Sequence, residues 1–308
     1  MGSQAMRDEA SSPLEALRMQ IVQLAQQASV ELNVHDVKYL AASRDLLARG
    51  TRIYVSHLPK QLFNDTLAAC VAVRTMGLEP VPHVPVRLLR SQEELYELID
   101  NALSREVKKI LLISGDYPEA RGPYSKVADV LRDVDLRSRG LERVSLGGHP
   151  EGHAKVPLHE IRSAELEKAQ IARQAGLDAT FVTQFFFEAD PFLRWAKELN
   201  NAGVTAAIRA GLAGPAHIAT LLKFAVRCGV GPSIRALGAR PSAFAKLIGE
   251  HGPEHLLRHL AQDAITTPPV FHGIHIFCFG GYLKTCQWLH SLASGWFELT
   301  DDGSLNVY

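Results

Sequence analysis

Short apolar, β-prone runs recur along the chain at 28–34, 52–57, 79–86, 109–114, 142–148, 180–185, 205–210 and 273–279. Between them lie segments whose apolar residues return with helical spacing, over 63–76, 92–103, 125–136, 163–175, 191–202 and 218–228. The run KKILLISGD is almost continuously apolar, as in a parallel strand covered on both faces. Strands alternating with helices in this number and length predict an α/β fold, a (β/α)8 TIM barrel. Gly50, Gly77, Gly140, Gly176, Gly203 and Gly229 each follow a helical stretch, where a helix C-cap favours glycine. The spacing breaks once, between Gly211 and Phe271, which predicts extra helices between strands 7 and 8. A doubly wound open sheet is the competing fold, but no GxGxxG follows the first strand.

Residues 1–13, opening MGSQAM, are read as an expression leader and disordered arm, and 14–308 as one barrel domain. The barrel uses nearly all of the residues, so no regulatory domain is expected within the chain. The 308 residues carry no formal net charge, with 46% hydrophobic and 21% charged side chains. Such a balance suits a globular domain with a large core and argues against nucleic acid or an anionic membrane surface as the main partner. No apolar run reaches membrane-spanning length, and the start lacks a basic-then-apolar signal. Cys70, Cys228, Cys278 and Cys286 are scattered without a CxxC pair, so reduced thiols in a cytoplasmic protein are expected. Homo-oligomerisation is left open.

In a barrel the chemistry sits at the C-terminal strand ends. Glu31 lies in strand 1, Ser56 and His57 end strand 2, and His83 interrupts strand 3. Ser114, Gly115 and Asp116 end strand 4, GGHPEGH follows strand 5, Gln184 precedes three phenylalanines in strand 6, Arg209 ends strand 7 and His275 lies in strand 8. Each has a plain alternative. Glu31 could close an internal salt bridge or act as a buried acid. Asp116 could cap a turn, and the two strand histidines could be core residues. His149, Glu151 and His153 are metal-ligand types, but the spacing is not HExxH and glycines and a proline make it a loop. No metal is expected; a metal-dependent hydrolase is the rival these three residues would define. Strand geometry sends neighbouring side chains to opposite faces, so Phe186 and Phe187 should leave the barrel wall on opposite sides.

Four stretches, SVELNV, LLISGDYPE, GGHPEGHAKV and FVTQFFFEADPF, occur in order and at strand ends. Together they resemble the methylenetetrahydrofolate reductase family, flavoprotein barrels with T-Q-F-F-F-D, G-D-x-P and Y-P-E-x-H segments. The resemblance implies reduction of 5,10-methylenetetrahydrofolate to 5-methyltetrahydrofolate with NADH or NADPH, through FAD, in one-carbon metabolism. It implies Glu31 as general acid and Asp116 as a catalytic partner near flavin and pterin. Gln184, Phe185, Phe187 and Lys284 fall in the folate-binding set. Ser56, His57, His83, Ser114, Gly115, Asp116, His149 and His153 fall around the cofactor, with Lys168 and Arg173 toward its diphosphate.

The sequence departs from the family in places. Ser114 stands where a basic residue is common, His149 replaces the tyrosine of Y-P-E, and the helix after strand 5 has only Lys168 and Arg173. Gly280 and Gly281 replace an Asn-Arg pair that helps hold folate. Fewer cations to neutralise a diphosphate leave two alternatives beside the FAD enzyme, a flavin-independent reductase of the same folate and a non-catalytic folate-binding protein. An apolar barrel would keep Glu31 protonated near neutral pH.

Overall fold

A computed structural model describes residues 12–115, 117–153, 155–230, 250–300 and 304–308. Eight parallel strands close a barrel: β1 (Ser29–Leu32), β2 (Arg52–Val55), β3 (Glu79–Pro85), β4 (Lys109–Ile113), β5 (Arg143–Gly148), β6 (Asp178–Phe185), β7 (Ala207–Ala213) and β8 (Ile274–Phe277). Strand β8 pairs with β1 to close the ring, with His275 beside Ser29. The predicted barrel is therefore the fold. Strand β7 starts two and ends three residues later than predicted, and its pairing with β6 shifts register between Val182 and Phe185.

Helices α2 (Phe63–Thr75), α3 (Gln92–Leu103), α4 (Val127–Asp133), α5 (Leu158–Gln174), α6 (Ala189–Asn201), α7 (Ile218–Cys228), α8 (Glu254–Thr266) and α9 (Tyr282–Ala293) surround the strands. A preceding helix, α1 (Pro13–Gln26), packs against α8 and α9. It was not among the predicted helices, although Ser12 caps it and Pro13 opens it, both ordinary start signals. Helix α3 illustrates the logic of the others. Ser91 accepts a hydrogen bond from the Glu94 backbone at 3.2 Å, and Leu95, Leu98, Ile99 and Ala102 form one buried stripe. Gly77, Gly176, Gly203 and Gly229 follow α2, α5, α6 and α7 with φ between 63° and 81°, whereas Gly50 and Gly140, at 78° and 101°, lie in turns and not at helix ends. That left-handed conformation carries no Cβ penalty in glycine.

Among the described residues, both α7 and α8 lie between β7 and β8, where the repeat requires one helix. A two-residue strand, Ala216–His217, pairs there with Glu250–His251. The rest of the insertion, 231–249, lies outside the described residues. A short antiparallel pair, Phe297–Leu299 with Leu305–Val307, follows α9.

The core has three parts. Outward strand side chains meet the helices in the main core, which includes Val30, Ile53, Val84, Ile110, Val144, Phe181 and Ile208. Inside the barrel, Tyr54, Val81, Leu111 and Val182 form a plug. Above it, Phe185, Ala213, Ala216, Leu221, Ala225 and Val230 make a smaller cluster under α7. The plug fills the lower barrel, and the next inward side chains, two residues further along β2 and β3, are Ser56 and His83 near the mouth.

Candidate functional site

Glu31 stands above the plug with its neighbours on three strands. Ser56 donates its hydroxyl to Glu31 Oε1 at 2.5 Å. His275 Nε2 lies 3.6 Å from Oε2, and Oε2 is buried without a hydrogen-bond partner among the described residues. The Tyr54 ring is edge-on to both His275, at 4.8 Å, and His83, at 6.3 Å. Its hydroxyl is 2.9 Å from Ser145 Oγ across the barrel. Burial pushes the Glu31 carboxyl up, but the His275 ring, the His83 charge and the Ser56 hydroxyl together outweigh it and hold the group below the usual glutamate range. The surroundings of Glu31 are thus polar rather than apolar, and in the ligand-free barrel it is ionised at neutral pH. The expectation of a resident proton took the apolar letters of SVELNV for the environment, whereas the inward faces of the adjoining strands set it.

His83 is buried around its ring, which lowers its pKa to about 4 despite the attraction of Glu31, and its Nε2 has no partner among the described residues. His57 stacks on Phe63 at 4.5 Å and shares Nδ1 with Thr66 Oγ1 at 2.9 Å, leaving Nε2 buried without a partner. Three orphaned polar atoms therefore stand at neighbouring strand ends. Burying such groups without a partner is costly, and a polar ligand would relieve it.

The opposite side of the mouth is aromatic. Phe186 leaves the barrel and stacks on Phe192 at 4.8 Å in the outer core. Phe185 and Phe187 face the other way, 5.7 Å apart, as strand alternation predicted. Phe185 also meets Phe277 and Phe279, at 5.7 and 4.8 Å, and Phe279 stacks on Phe224 of α7 at 4.2 Å. Gln184 is half-buried beside this wall, and its Oε1 accepts from the Phe185 backbone at 3.1 Å. Phe224, Phe277 and Phe279 were not singled out from the sequence, because three strand and helix ends bring them together only in the fold.

The GGHP turn after β5 is held from behind. Glu165 of α5 is 1% exposed. It accepts from the His149 backbone at 2.7 Å, from Arg162 at 2.9 Å and from the Trp195 indole at 2.9 Å. Arg162 in turn donates to the carbonyls of His149 and Pro150, at 3.0 and 2.8 Å. Sequence reasoning missed this clamp; its signal was a glutamate in the stripe Ile161, Glu165, Ala169 that faces the core. The rings of His149 and His153 meet edge-on at 6.2 Å. Burial, and then the cations Lys168 and Arg162 with His153, push the His149 pKa down. Among the described residues no three His, Cys, Asp or Glu side chains gather to hold a metal ion.

The remaining predicted residues divide. Ser114 and Gly115 end β4, where the Ser114 carbonyl accepts from the Arg87 backbone at 3.3 Å and Gly115 has φ +87°. Asp116 lies outside the described residues. Lys284 sits in the first turn of α9, at the same end of the barrel. Lys168 reaches the strand ends from α5, but its ammonium donates to the Gly147 carbonyl at 2.7 Å, and burial lowers its pKa to about 8. Arg173 does not join the site. It is exposed in the last turn of α5, which runs from the mouth back to the start of β6. Arg209, expected at the end of its strand, is the third residue of β7 and lies at the base, donating to Ser29 Oγ at 3.1 Å and to the Gln27 carbonyl. The later boundary of β7 is the reason.

Gly280 is not a vacated side-chain position. A Cβ there would lie 1.9 Å from the Pro215 carbonyl oxygen, so the backbone fills the space. At Gly281 a Cβ would meet nothing within 4 Å, although φ is +113°.

Fold and side chains together define a (β/α)8 barrel whose mouth, at the C-terminal strand ends, is polar on one side and aromatic on the other. The sequence profile of the family described as methylenetetrahydrofolate reductase matches residues 60–231, more than half of the chain, and the chain belongs to that family. The 5,10-methylenetetrahydrofolate reductase of Pectobacterium carotovorum subsp. carotovorum is 26% identical over 155 residues, half of each protein. That of Escherichia coli K12 is 25% identical over 150 residues, 48% of each. Methylenetetrahydrofolate reductase 2 of Saccharomyces cerevisiae is 23% identical over 195 residues, 55% of this chain and 31% of that protein. The chain thus spans about half the length of the bacterial relatives it matches, and less of the yeast one. The profile match takes in His83, residues 114–116, the His149 loop and the Gln184 strand; Glu31 and Lys284 lie outside it. Among the described residues no helix is long and apolar enough to cross a membrane.

Proposed function

We propose that the chain interconverts 5,10-methylenetetrahydrofolate and 5-methyltetrahydrofolate, with NADH or NADPH as the source or acceptor of hydride. The observation that carries this reading is the pairing, across one mouth, of a carboxyl with an unpartnered oxygen and a wall of aromatic rings beside an amide. A flat pterin suits the wall. Gln184 would read its polar edge, Phe187 and Phe279 would cover its face, and Lys284 would lie toward its acidic tail.

Glu31 would be the general acid. The methylene bridge must open to an iminium before accepting hydride, and opening needs a proton on the departing nitrogen. Glu31 is ionised in the free barrel, so it takes up that proton as the substrate binds. A pterin over Oε2 excludes water, and desolvation favours the neutral acid. His83 and His57 offer their free Nε2 atoms to the bound molecules. The family resemblance would give Asp116, which lies outside the described residues, the role of a second carboxylate.

The family's FAD fits this chain poorly at its diphosphate end. Of the cations expected there, Lys168 is engaged with Gly147 and Arg173 stands at the far end of the barrel; Arg162, at the mouth end of α5, is committed to Glu165. The hydride would therefore pass directly from nicotinamide to folate. Purified protein tests both parts. A colourless protein that oxidises NADH only with methylenetetrahydrofolate, and yields 5-methyltetrahydrofolate, is the expected result. A retained flavin band that bleaches with NADH and recovers with the folate would overturn direct transfer but keep the reaction. Tight folate binding without turnover would make the chain a binding protein.

A further inference from the structure

Behind Glu31 a file of polar side chains runs through the barrel to its base. Arg209 is 3% exposed, and its Nε donates to Ser29 Oγ at 3.1 Å. Ser29 Oγ lies 3.0 Å from His275 Nδ1 and 3.4 Å from the Ile274 carbonyl. His275 is 1% exposed, with Nε2 3.6 Å from Glu31 Oε2.

The chemistry of the groups gives this file a direction. A guanidinium only donates, so Ser29 must accept from Arg209. The one hydroxyl proton of Ser29 then goes to its shorter remaining contact, His275 Nδ1. A ring that accepts at Nδ1 carries its proton on Nε2 when neutral, and Nε2 faces Glu31. Burial first, and then the charges of Arg209 and Arg52, disfavour a second proton on the ring, against the pull of Glu31.

We propose that His275 is a positioning residue for Glu31: Arg209 and Ser29 lock its Nε2–H tautomer, and that hydrogen orients the carboxyl and sets its proton affinity. The gap of 3.6 Å is longer than a hydrogen bond, and such contacts tighten when a ligand fills the site. The other groups facing Glu31 are His83 from β3 and Ser56 from the end of β2, with Cys278 beyond β8. His275 is faced by Tyr54 and Arg52 of β2 besides the file itself. None of these donates to Oε2, so the lever belongs to His275.

The kinetic part of this inference rests on the proposed reaction; the titration part does not. Ligand-free protein labelled with 13C in glutamate carboxyls gives a Glu31 signal, assigned by its loss in Glu31→Gln. Its titration midpoint should rise by about one pH unit, tenfold in proton affinity, in His275→Leu. It should stay near the wild-type value in His275→Gln, whose amide still donates. Ser29→Ala, a milder change, should raise it in the same direction by releasing the tautomer. If folate reduction occurs, the alkaline limb of its kcat/KM profile should move with the midpoint while KM for the nicotinamide stays put. A midpoint unchanged or lowered in both His275→Leu and Ser29→Ala overturns the inference; Ser29→Ala decides alone if His275→Leu does not fold. Absence of folate turnover in the wild type would sink the proposed function and leave the titration result standing.

Discussion

The two ends of the barrel solve the same problem differently. At the base, charged side chains meet partners. Lys109 pairs with Glu79, Arg143 Nε donates to Asp178 at 2.7 Å, Lys108 lies 2.9 Å from Glu142 and Arg74 2.8 Å from Glu106. At the mouth, Glu31 Oε2, His57 Nε2 and His83 Nε2 are buried without partners, three of the five such atoms among the described residues. Paired charges at the base and unpaired polar atoms at the mouth set the two ends apart, and that difference supports the mouth as the proposed ligand site. Polarity alone would not separate them, since both ends are polar.

The contrast can be broken most sharply at Glu31. Glu31→Gln should lower folate reduction by roughly 10²–10⁴-fold, the usual worth of a general acid, with nicotinamide binding by fluorescence titration unchanged. Turnover at the wild-type rate would remove Glu31 from the chemistry. Next comes the clamp behind the His149 loop. Glu165→Leu leaves Arg162 and the His149 backbone without their acceptor, and urea unfolding should show a loss of about 3 kcal/mol. An unchanged midpoint would mean the loop holds itself.

The aromatic wall comes third. Phe279→Ala removes stacking on Phe224 and Phe277, and KM for folate should rise about tenfold, the scale of one or two aromatic contacts. A smaller effect is expected on acidification. His83 titrates at about 4 in the fold against an ordinary 6.5, so between those values the unfolded chain binds a proton that the fold refuses. Stability should fall as pH drops from about 6.5 and level off below about 4. His83→Gln should flatten that slope in thermal unfolding; an equal slope would assign it elsewhere. At the base, Lys108→Ala should shift stability by no more than about 0.5 kcal/mol and leave turnover alone. Arg173→Ala should likewise leave cofactor binding unchanged.

Much of this was legible in the residues, for identifiable reasons. Strand and helix order follows from hydrophobic period, and glycine at four helix ends follows from left-handed backbone geometry. The split of Phe186 from Phe185 and Phe187 follows from strand alternation. Properties that depend on what faces a residue across the barrel were not legible. The polar setting of Glu31 is made by β2, β3 and β8, far away in sequence. Arg209 moved from mouth to base because a shift of three residues at a strand end changes its level in the barrel. Glu165 could have been read as a clamp only by taking a carboxylate on an apolar stripe as a signal.

The close approach of Gly280 to Pro215 has a consequence for redesign. Grafting the Asn-Arg pair of other family members onto 280 and 281 would drive the first side chain into a carbonyl oxygen, and the second into a strained backbone. The loop between β7 and α7 would have to be rebuilt first. Any new cationic anchor for a ligand is better introduced from Lys284 or its neighbours on α9, one helical turn away, where the scaffold leaves the main chain untouched.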